Sequence, residues 1–342
     1  MANEFKSRLS SLQSKLGATD ALFLASGDEP GTPYPNFFYL TGIDIDGCAL
    51  IATKNSSVIL TSGMNSEYVK AKKPSSEVLV YKNYAQFSQL LSKQLQKTKN
   101  LKLDFGHTRL SVSDFLKKFT KAKQADASEM LGKARAIKSP SEAASIKKAI
   151  EITENIYGQL ESELSEGTSE KQAAVLIQKM MLDAGVKPSF SPIVATGANS
   201  SYPHSMPTSA KIRGHVLVDI GVVYNHYCSD LTRCFFFPSG RMQKNAYDKL
   251  TLVTDELADR ATSGEFEKAL EFAKASEKLV AHYSLPKMIH SIGHGVGLEV
   301  HESPSLGIKS KDKFEKGMVI AIEPAAYFAG KFGVRHEVDA FL

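Results

Sequence analysis

The sequence predicts an α+β protein of two domains, a smaller α/β domain over residues 1–125 and a larger domain over residues 126–342. Three observations carry that expectation. The chain has 342 residues, too long for one ordinary core when domains run about 100–200 residues. In the first part short apolar runs alternate with helical patterns, whereas in the remainder the strand-like runs group apart from long helices. A polar, charged stretch, Lys121–Ser128, separates the two patterns as a linker.

The elements follow in order. Phe5, Leu9, Leu12 and Leu16 recur at helical spacing and predict an opening amphipathic helix. Ala21–Ala25, Phe37–Leu40, Cys48–Ala52, Val58–Thr61 and Val78–Tyr81 are short apolar runs, several bounded by Gly, Pro, Asn or Asp, and are expected as strands. Lys54-Asn55-Ser56 suggests a hairpin loop between two of them. Helical patterns return at Phe87–Leu95 and Leu110–Phe119. Ser139-Pro140-Ser141-Glu142 supplies a helix start with Pro in the first turn. Ile146, Ile150, Tyr157 and Leu160 line one face of that helix, with Thr153 its one polar member. Ser169 and Gln172 form a capping-box pattern for a second helix that stops at Gly185. His215–Gly221 and Tyr227–Phe237 read as neighbouring strands, Gln243–Ala261 and Phe266–Tyr283 as long helices, and Met318–Ile322 and Val334–Ala340 as strands again.

Composition excludes several classes. Hydrophobic residues make up 42% and charged residues 23%, which is globular and neither disordered nor collagen-like. The opening residues have no apolar h-region and no stretch approaches the ~18–20 apolar residues of a membrane span. Three cysteines, Cys48, Cys228 and Cys234, cannot all pair and form no CxxC, so a disulfide framework and a thiolate zinc site are not expected. A reduced, cytoplasmic location follows as the expectation. The net charge of +5, from 42 basic and 37 acidic residues, is spread along the chain. Lysine clusters at 70–73 and 117–123 lack aromatic interleaving, so they read as solvated surface and not as a nucleic-acid site.

Chemistry-bearing residues concentrate in the second part. Asp219 sits inside the apolar strand Val216–Ile220, where a carboxylate is costly unless paired or bound to a cation. Asp230 follows eleven residues on, and a short turn could bring both acids to one face. His294 lies in Gly293-His294-Gly295-Val296-Gly297, a glycine-rich setting that allows close backbone approach. Glu323 closes Met318–Ile322 and precedes Pro324, and Glu337 lies in Gly333-Val334-Arg335-His336-Glu337. Four carboxylates and an imidazole suit Mn, Co or Zn. Two such ions can activate a shared water and polarise a carbonyl. Taken singly, each residue has a plainer reading: Asp219 as partner to a buried arginine, Glu323 as a strand end, Glu337 as a strand-edge charge, His294 as a turn histidine.

The motifs VDIG…CSDLTR, GHGVGLEVHE, AIEP and GVRHE, in that order, resemble the pita-bread metallopeptidases: methionine aminopeptidase, Xaa-Pro aminopeptidase and prolidase. The likeness reaches upstream through Ala198–His204 and Arg135–Pro140. Phe38-Tyr39-Leu40-Thr41-Gly42-Ile43 followed by GCALIA resembles the N-terminal domain of prolidase, Xaa-Pro aminopeptidase and creatinase, which methionine aminopeptidases lack. The resemblance implies a pita-bread catalytic domain after a creatinase/prolidase-type domain, with two divalent ions held by Asp219, Asp230, His294, Glu323 and Glu337. Asp230 and Glu337 would bridge, Asp219 would complete one ion, and His294 and Glu323 the other. It implies Glu323 as proton shuttle, and His204 and His301 as histidines that contact substrate and stabilise the tetrahedral intermediate. Without it, both would read as surface or structural histidines. Creatinase shares the fold but lacks the full ligand set, which is complete here.

The implied reaction is cleavage of the bond between an N-terminal residue and proline, of Xaa-Pro dipeptidase type. The alternatives are an Xaa-Pro aminopeptidase on longer peptides, an enzyme acting on another amide, or a metal-free binding protein of the same shape. An Xaa-Pro bond offers no N–H on its leaving nitrogen, which defeats clefts that need that donor but not a metal site gripping amine and carbonyl. A homodimer is expected by the same resemblance. Four departures bear on the carry-over. Ser305 stands where short archaeal-type prolidases often have a carboxylate-binding arginine, leaving Lys309 or Arg335 as substitutes. Val338 replaces the usual Asp, and His226 a common glycine. The chain ends five residues past Glu337, which predicts a less braced edge for that ligand.

Overall fold

A computed structural model describes residues 2–342, and the chain divides into two compact units, Met1–Arg135 and Ala136–Leu342. In the first, α1 (Ala2–Ser14) leads to β1 (Asp20–Ala25), α2 (Pro35–Thr41), β2 (Cys48–Thr53), β3 (Ser57–Ser62), α3 (Ser66–Ala71), β4 (Glu77–Tyr81) and α4 (Tyr84–Leu95). Next come β5 (Asn100–Leu103), α5 (Leu110–Leu116), β6 (Lys123–Asp126) and α6 (Ser128–Ala136). The strands form one six-stranded sheet in the order β4-β3-β2-β1-β5-β6. β1–β2 and β2–β3 are antiparallel, whereas β3–β4, β1–β5 and β5–β6 are parallel. Ala21, Phe23, Ile51, Leu60, Leu101 and Leu103 pack on one side against Leu91, Leu95 and Leu116 of the covering helices.

In this first unit two segments depart from the sequence expectation. Phe37–Leu40 is not a strand but lies in α2. Pro35 pre-sets φ in the first turn and Gly42 closes the helix in the left-handed region at φ 66. Every residue from Asn36 to Thr41 is buried, so the run shows no helical period. Lys121–Ser128 is not a linker: it contributes β6 and the start of α6. β6 pairs along β5 through its backbone while its polar side chains sit at the sheet edge, where no apolar signature is required.

The second unit opens with α7 (Pro140–Glu163) and α8 (Glu170–Asp183), both with reciprocal capping boxes, at Ser139/Glu142 and Ser169/Gln172. β7 (Lys187–Pro188), β8 (Ile193–Ala195), a 3₁₀ turn (Gly197–Ser201), β9 (His215–Ile220), β10 (Val222–Tyr224), β11 (Tyr227–Cys228) and β12 (Leu231–Phe236) follow. Then come α9 (Arg241–Thr262), α10 (Ala269–His282), β13 (Gly293–Gly295), β14 (Glu302–Ser305), β15 (Val319–Ile322), β16 (Ala325–Phe328), β17 (Phe332–Arg335) and β18 (Val338–Phe341). The main sheets run β12-β9-β8 and β14-β13-β15-β18, with β16–β17 a hairpin. The expected strands Tyr227–Phe237 and Val334–Ala340 are each two: β11 and β12 lie in different sheets, as do β17, which ends at Arg335, and β18.

Strand periodicity sets the faces. Val216, Val218 and Ile220 of β9 pack with Ile156, Tyr157, Leu160 and Ile177 of α7 and α8. Leu217 turns the other way, into the core of α9 and α10 with Cys234, Ile320 and Val334. Tyr157 ties the layers together, its hydroxyl 3.0 Å from the Val218 carbonyl and 2.7 Å from that of Leu231. Thr153, the polar member of the apolar face, meets the Ser229 hydroxyl at 2.8 Å. Among the described residues no helix is long and apolar enough to cross a membrane, and all three cysteines are free and buried.

In the first unit a buried carboxylate replaces apolar packing at the end of β5. Asp104 Oδ2 accepts from Asn36 Nδ2 at 2.6 Å and meets His107 Nδ1 at 2.8 Å, and Oδ1 accepts from Ser128 Oγ at 3.1 Å. Arg135 Nη1 in turn donates to Asn36 Oδ1 at 3.1 Å. Burial alone would raise the Asp104 pKa, but the bonds from His107, Asn36 and Ser128 outweigh it and hold the group at about 2. The folded value lies below the unfolded one, so the group adds stability above pH ~4 that is lost as pH falls through ~2, about 2 kcal/mol in all. Asp104→Asn is therefore expected to cost about 2 kcal/mol near pH 7 and little at pH 2. Urea unfolding of the two proteins at both pH values measures this, and an equal deficit at both would refute the linkage.

Candidate metal centre and active site

The two-residue period brings the acids of neighbouring strands to one face. β12 pairs antiparallel with β9, with Thr232 opposite Asp219, and Asp230 immediately precedes β12. Leu231 points into the helical core, so Asp230 and Thr232 point with Asp219 away from it. β13 brings His294 opposite Ala321 of β15, and Glu323 follows that strand. Gly295 is required here, because a Cβ on it would lie 2.2 Å from the Ser303 carbonyl oxygen. Glu337 sits between β17 and β18, and its N–H donates to the Thr232 carbonyl at 3.2 Å. The expected weakly braced edge is thus absent: β18 pairs with β15 beyond Glu337.

All five predicted ligands line one cavity of ≈ 560 Å³, together with His204 and His301. Three groups in it have ligand atoms within 4.8 Å of one another: Asp219, Asp230 and Glu337; His294, Glu323 and Glu337; and Asp230, His294 and His301. Asp230, His294 and Glu337 each belong to two groups. His204 lines the cavity but belongs to none of them.

Electrostatics favour a cation among these groups. Asp219, Asp230 and Glu337 are pushed up from the usual carboxylate range by burial first; the Glu337 charge adds to this at Asp219 and Asp230, and the Glu323 charge at Glu337. Burial likewise raises Glu323 to about 7. Asp219 Oδ1 is buried and has no hydrogen-bond partner. His294 is held down at about 4, by burial first and then by His301, which keeps the imidazole neutral. Its Nδ1 lies 3.2 Å from the Gly295 carbonyl, which places the proton there and leaves Nε2 as a lone pair, 3.5 Å from Asp230 and 3.8 Å from Glu323. An orphaned carboxylate oxygen, a cluster of mutually repelling acids and an imidazole oriented through its other nitrogen fit divalent cations of the Mn, Co or Zn kind.

Both readings of Asp219 hold at once, since its Oδ2 accepts from Arg335 Nη2 while Oδ1 stays open. Arg335 also donates through Nε to Thr232 Oγ1 at 2.9 Å, and Thr232 donates to Glu337 Oε2 at 2.5 Å. Through Nη1 it reaches Tyr327 Oη at 3.2 Å and the Pro203 carbonyl at 3.3 Å. Lys309 lines a neighbouring cavity and not this one.

Sequence reasoning missed His290, whose Nε2 meets Tyr327 Oη at 3.1 Å, and the apolar walls Phe190, Ile193, Met206 and Val300. His290 stands four residues before His294, a spacing the sequence displays. The walls carry no such signal. Asp339 was also missed; its Oδ2 accepts the N–H of Asp230 at 3.0 Å. His226 takes φ 72, the backbone conformation for which glycine is the usual residue.

Residues 144–341 match the family model for metallopeptidase family M24, and residues 8–137 match the creatinase/prolidase N-terminal domain. The chain belongs to metallopeptidase family M24. It is 37% identical to an uncharacterised peptidase of Methanocaldococcus jannaschii over 63% of this chain and 63% of that protein. It is 30% identical to the Xaa-Pro dipeptidase of Pyrococcus horikoshii over 89% of this chain and 86% of that one. The structure of an X-Pro aminopeptidase from Thermotoga maritima superposes with a TM-score of 0.82 at 25% identity, covering 97% and 95% of the two chains. The pita-bread fold behind a creatinase-type domain, expected from the motifs, is borne out.

In this M24 chain the histidine at the cavity mouth stands on a buried ion pair. Glu302, next to His301, meets Lys138 Nζ at 2.9 Å, with side-chain exposures of 4% and 1%. Breaking such a pair costs about 3–5 kcal/mol, since one charge stays buried without its partner. Lys138→Met is expected to lose that much in urea unfolding. A loss below about 1 kcal/mol, the range of an exposed pair, would show that the pair does not anchor β14.

Proposed function

We propose that the chain is a dinuclear metal-dependent peptidase that cleaves the bond between an N-terminal residue and proline, of Xaa-Pro dipeptidase type. The observation that carries this is the pair of overlapping ligand groups, Asp219–Asp230–Glu337 and His294–Glu323–Glu337, beneath an apolar-walled cavity. The relative named Xaa-Pro dipeptidase supports it. Asp230 and Glu337 would be shared by two ions, with Asp219 on one and His294 and Glu323 on the other. Bound there, divalent cations supply Lewis-acid polarisation of a carbonyl and lower the pKa of water.

The remaining roles belong to this chain's own groups. Glu323, its oxygens 3.8 Å from His294 Nε2 and His290 Nδ1, faces the cavity and moves the proton from the attacking water to the leaving proline nitrogen. His204 and His301 stand at the mouth and donate to the carbonyl oxygen as it gains charge. Phe190, Ile193 and Val300 exclude water around the proline ring. Arg335 holds Asp219 and, through Thr232, Glu337.

One observation favours the second reading, an Xaa-Pro aminopeptidase. No lysine lines the cavity and its arginine is committed to Asp219, while Ser305 occupies the wall. We place the protein in the cytoplasm, in keeping with three unpaired cysteines, and expect a homodimer, which a monomeric mass in solution scattering would refute.

Chelation is expected to abolish turnover and Mn or Co to restore it. On the dipeptidase reading kcat/KM is higher for an Xaa-Pro dipeptide than for the matching Xaa-Pro-Yaa tripeptide. The reverse preference makes it an aminopeptidase. Absence of bound metal by elemental analysis after reconstitution would overturn both in favour of a binding protein. Asp230→Asn, which removes a shared ligand, is expected to lower metal content and cut kcat by at least about 10²-fold.

A further inference from the structure

Glu170 is the first residue of α8 and its side chain is fully buried, with 0% exposure. A carboxylate in that position is costly unless its charge is met. Among the described residues no lysine, arginine or histidine pairs with it, and dipoles meet the charge instead. Oε1 accepts from the Thr196 N–H at 2.8 Å and from Asn199 Nδ2 at 3.1 Å. Oε2 accepts from the Thr208 N–H at 2.8 Å, the Thr208 hydroxyl at 2.5 Å and Asn199 Nδ2 at 3.1 Å. The N-terminus of α8 adds its own positive end.

These donors come from the two ends of one segment. Between Thr196 and Thr208 the chain makes the 3₁₀ turn and then runs through Tyr202, Pro203, His204, Ser205, Met206 and Pro207. Pro203, His204 and Met206 line the cavity, and Tyr202, His204 and Met206 are exposed. The tip has no core of its own; Arg335 Nη1 touches it at the Pro203 carbonyl, 3.3 Å away, and the other anchors described here lie at its base. The Thr196 side of that base has a second anchor. Ser200 Oγ accepts from the Gly333 N–H at 2.8 Å, and a Cβ at Gly333 would lie 2.0 Å from the Ser200 carbonyl oxygen. The Thr208 side is held by α8, through Glu170 and through the Lys171 N–H, which donates to the Thr208 carbonyl at 3.0 Å.

We propose that Glu170 is a positioning residue for His204: by clasping both ends of segment 196–208 it fixes where that imidazole meets the substrate. This rests on the reading of His204 as a substrate-contacting group. Glu170 lies outside every candidate ligand group, so its effect runs through the loop and not through metal binding.

Glu170→Gln keeps size and shape but turns an NH₂ group toward amide donors. Its expected effect is a loss of roughly 10–100-fold in kcat/KM on an Xaa-Pro dipeptide with metal content unchanged, the scale of a misplaced catalytic group. The double variant with His204→Ala should be no slower than His204→Ala alone, because two changes acting through one group are not additive. Hydrogen exchange should speed up at the Thr196 and Thr208 amides while β9 stays protected. If Glu170→Gln does not fold, Thr208→Val, which leaves the Thr208 N–H bond to Glu170 but removes the hydroxyl's bond to it and those the hydroxyl accepts from Asn199 Nδ2 and the Ala210 N–H, should give the same pattern at about fivefold. Additive losses with His204→Ala, or unchanged exchange at both amides, would overturn the proposal and leave the function intact. If His204→Ala leaves turnover unchanged, the role given to His204 falls and the positioning claim falls with it.

Discussion

One guanidinium stands among five largely buried carboxylates, and the arrangement of the second unit follows from that imbalance. Arg335 pairs with Asp219 and reaches Glu337 through the Thr232 hydroxyl. Among the described residues no lysine or arginine is in ion-pair contact with Asp230, Glu323 or Asp339, and burial raises all three. Like charges in a low-dielectric interior cannot all ionise without a cation. The structure nonetheless holds these acids together, through backbone contacts that do not depend on charge. Glu337 is fixed by its N–H to Thr232, and Asp230 by its N–H to Asp339. The scaffold therefore supplies a concentration of negative charge that a divalent cation relieves, so binding a cation and stabilising this unit are linked.

Rigid sheets carry that concentration and loops carry the histidines at its mouth. Asp219, Asp230, His294, Glu323 and Glu337 all lie in strands or at their ends, each strand packed against a helical layer on its other face. His204 and His301 are exposed and sit on connections. Each connection is tied down by a buried carboxylate that takes no part in the ligand groups: Glu170 below His204, and Glu302 with Lys138 beside His301. The candidate ligands are thus held by pleated backbone, while the two exposed histidines stand on short spans tied by buried carboxylates.

What was legible in the sequence follows the same division. Asp219 stood out because an acid inside Val216–Ile220 breaks an apolar run, and His294 because glycines surround it. The capping boxes at Ser139 and Ser169 were readable because both partners lie within one turn. Phe37–Leu40 was misread because complete burial erases periodicity, and β6 because an edge strand needs only its backbone. The split of Val334–Ala340 was hidden because β17 and β18 are continuous in sequence yet pair in different sheets. Glu170 and Asp104 carry no local signal, since their donors lie 26–38 residues away in one case and up to 68 in the other.

Such distant clasps explain why an acidic residue count says little about where acids serve. Glu170 and Asp104 are both buried carboxylates satisfied without a lysine or arginine, one by loop amides and a helix N-terminus, the other by an asparagine, a histidine and a serine. Asp219 and Glu337 are also buried, but Asp219 keeps an oxygen that none of the described residues satisfies. Depth does not separate these acids, and neither does an open acceptor alone, since Asp339 Oδ1 is likewise buried without a hydrogen-bond partner among the described residues. An acid whose acceptors are all filled holds the chain in place. What sets Asp219 apart from Asp339 is that its open acceptor belongs to a side chain that lines the cavity and lies in a candidate ligand group with Asp230 and Glu337.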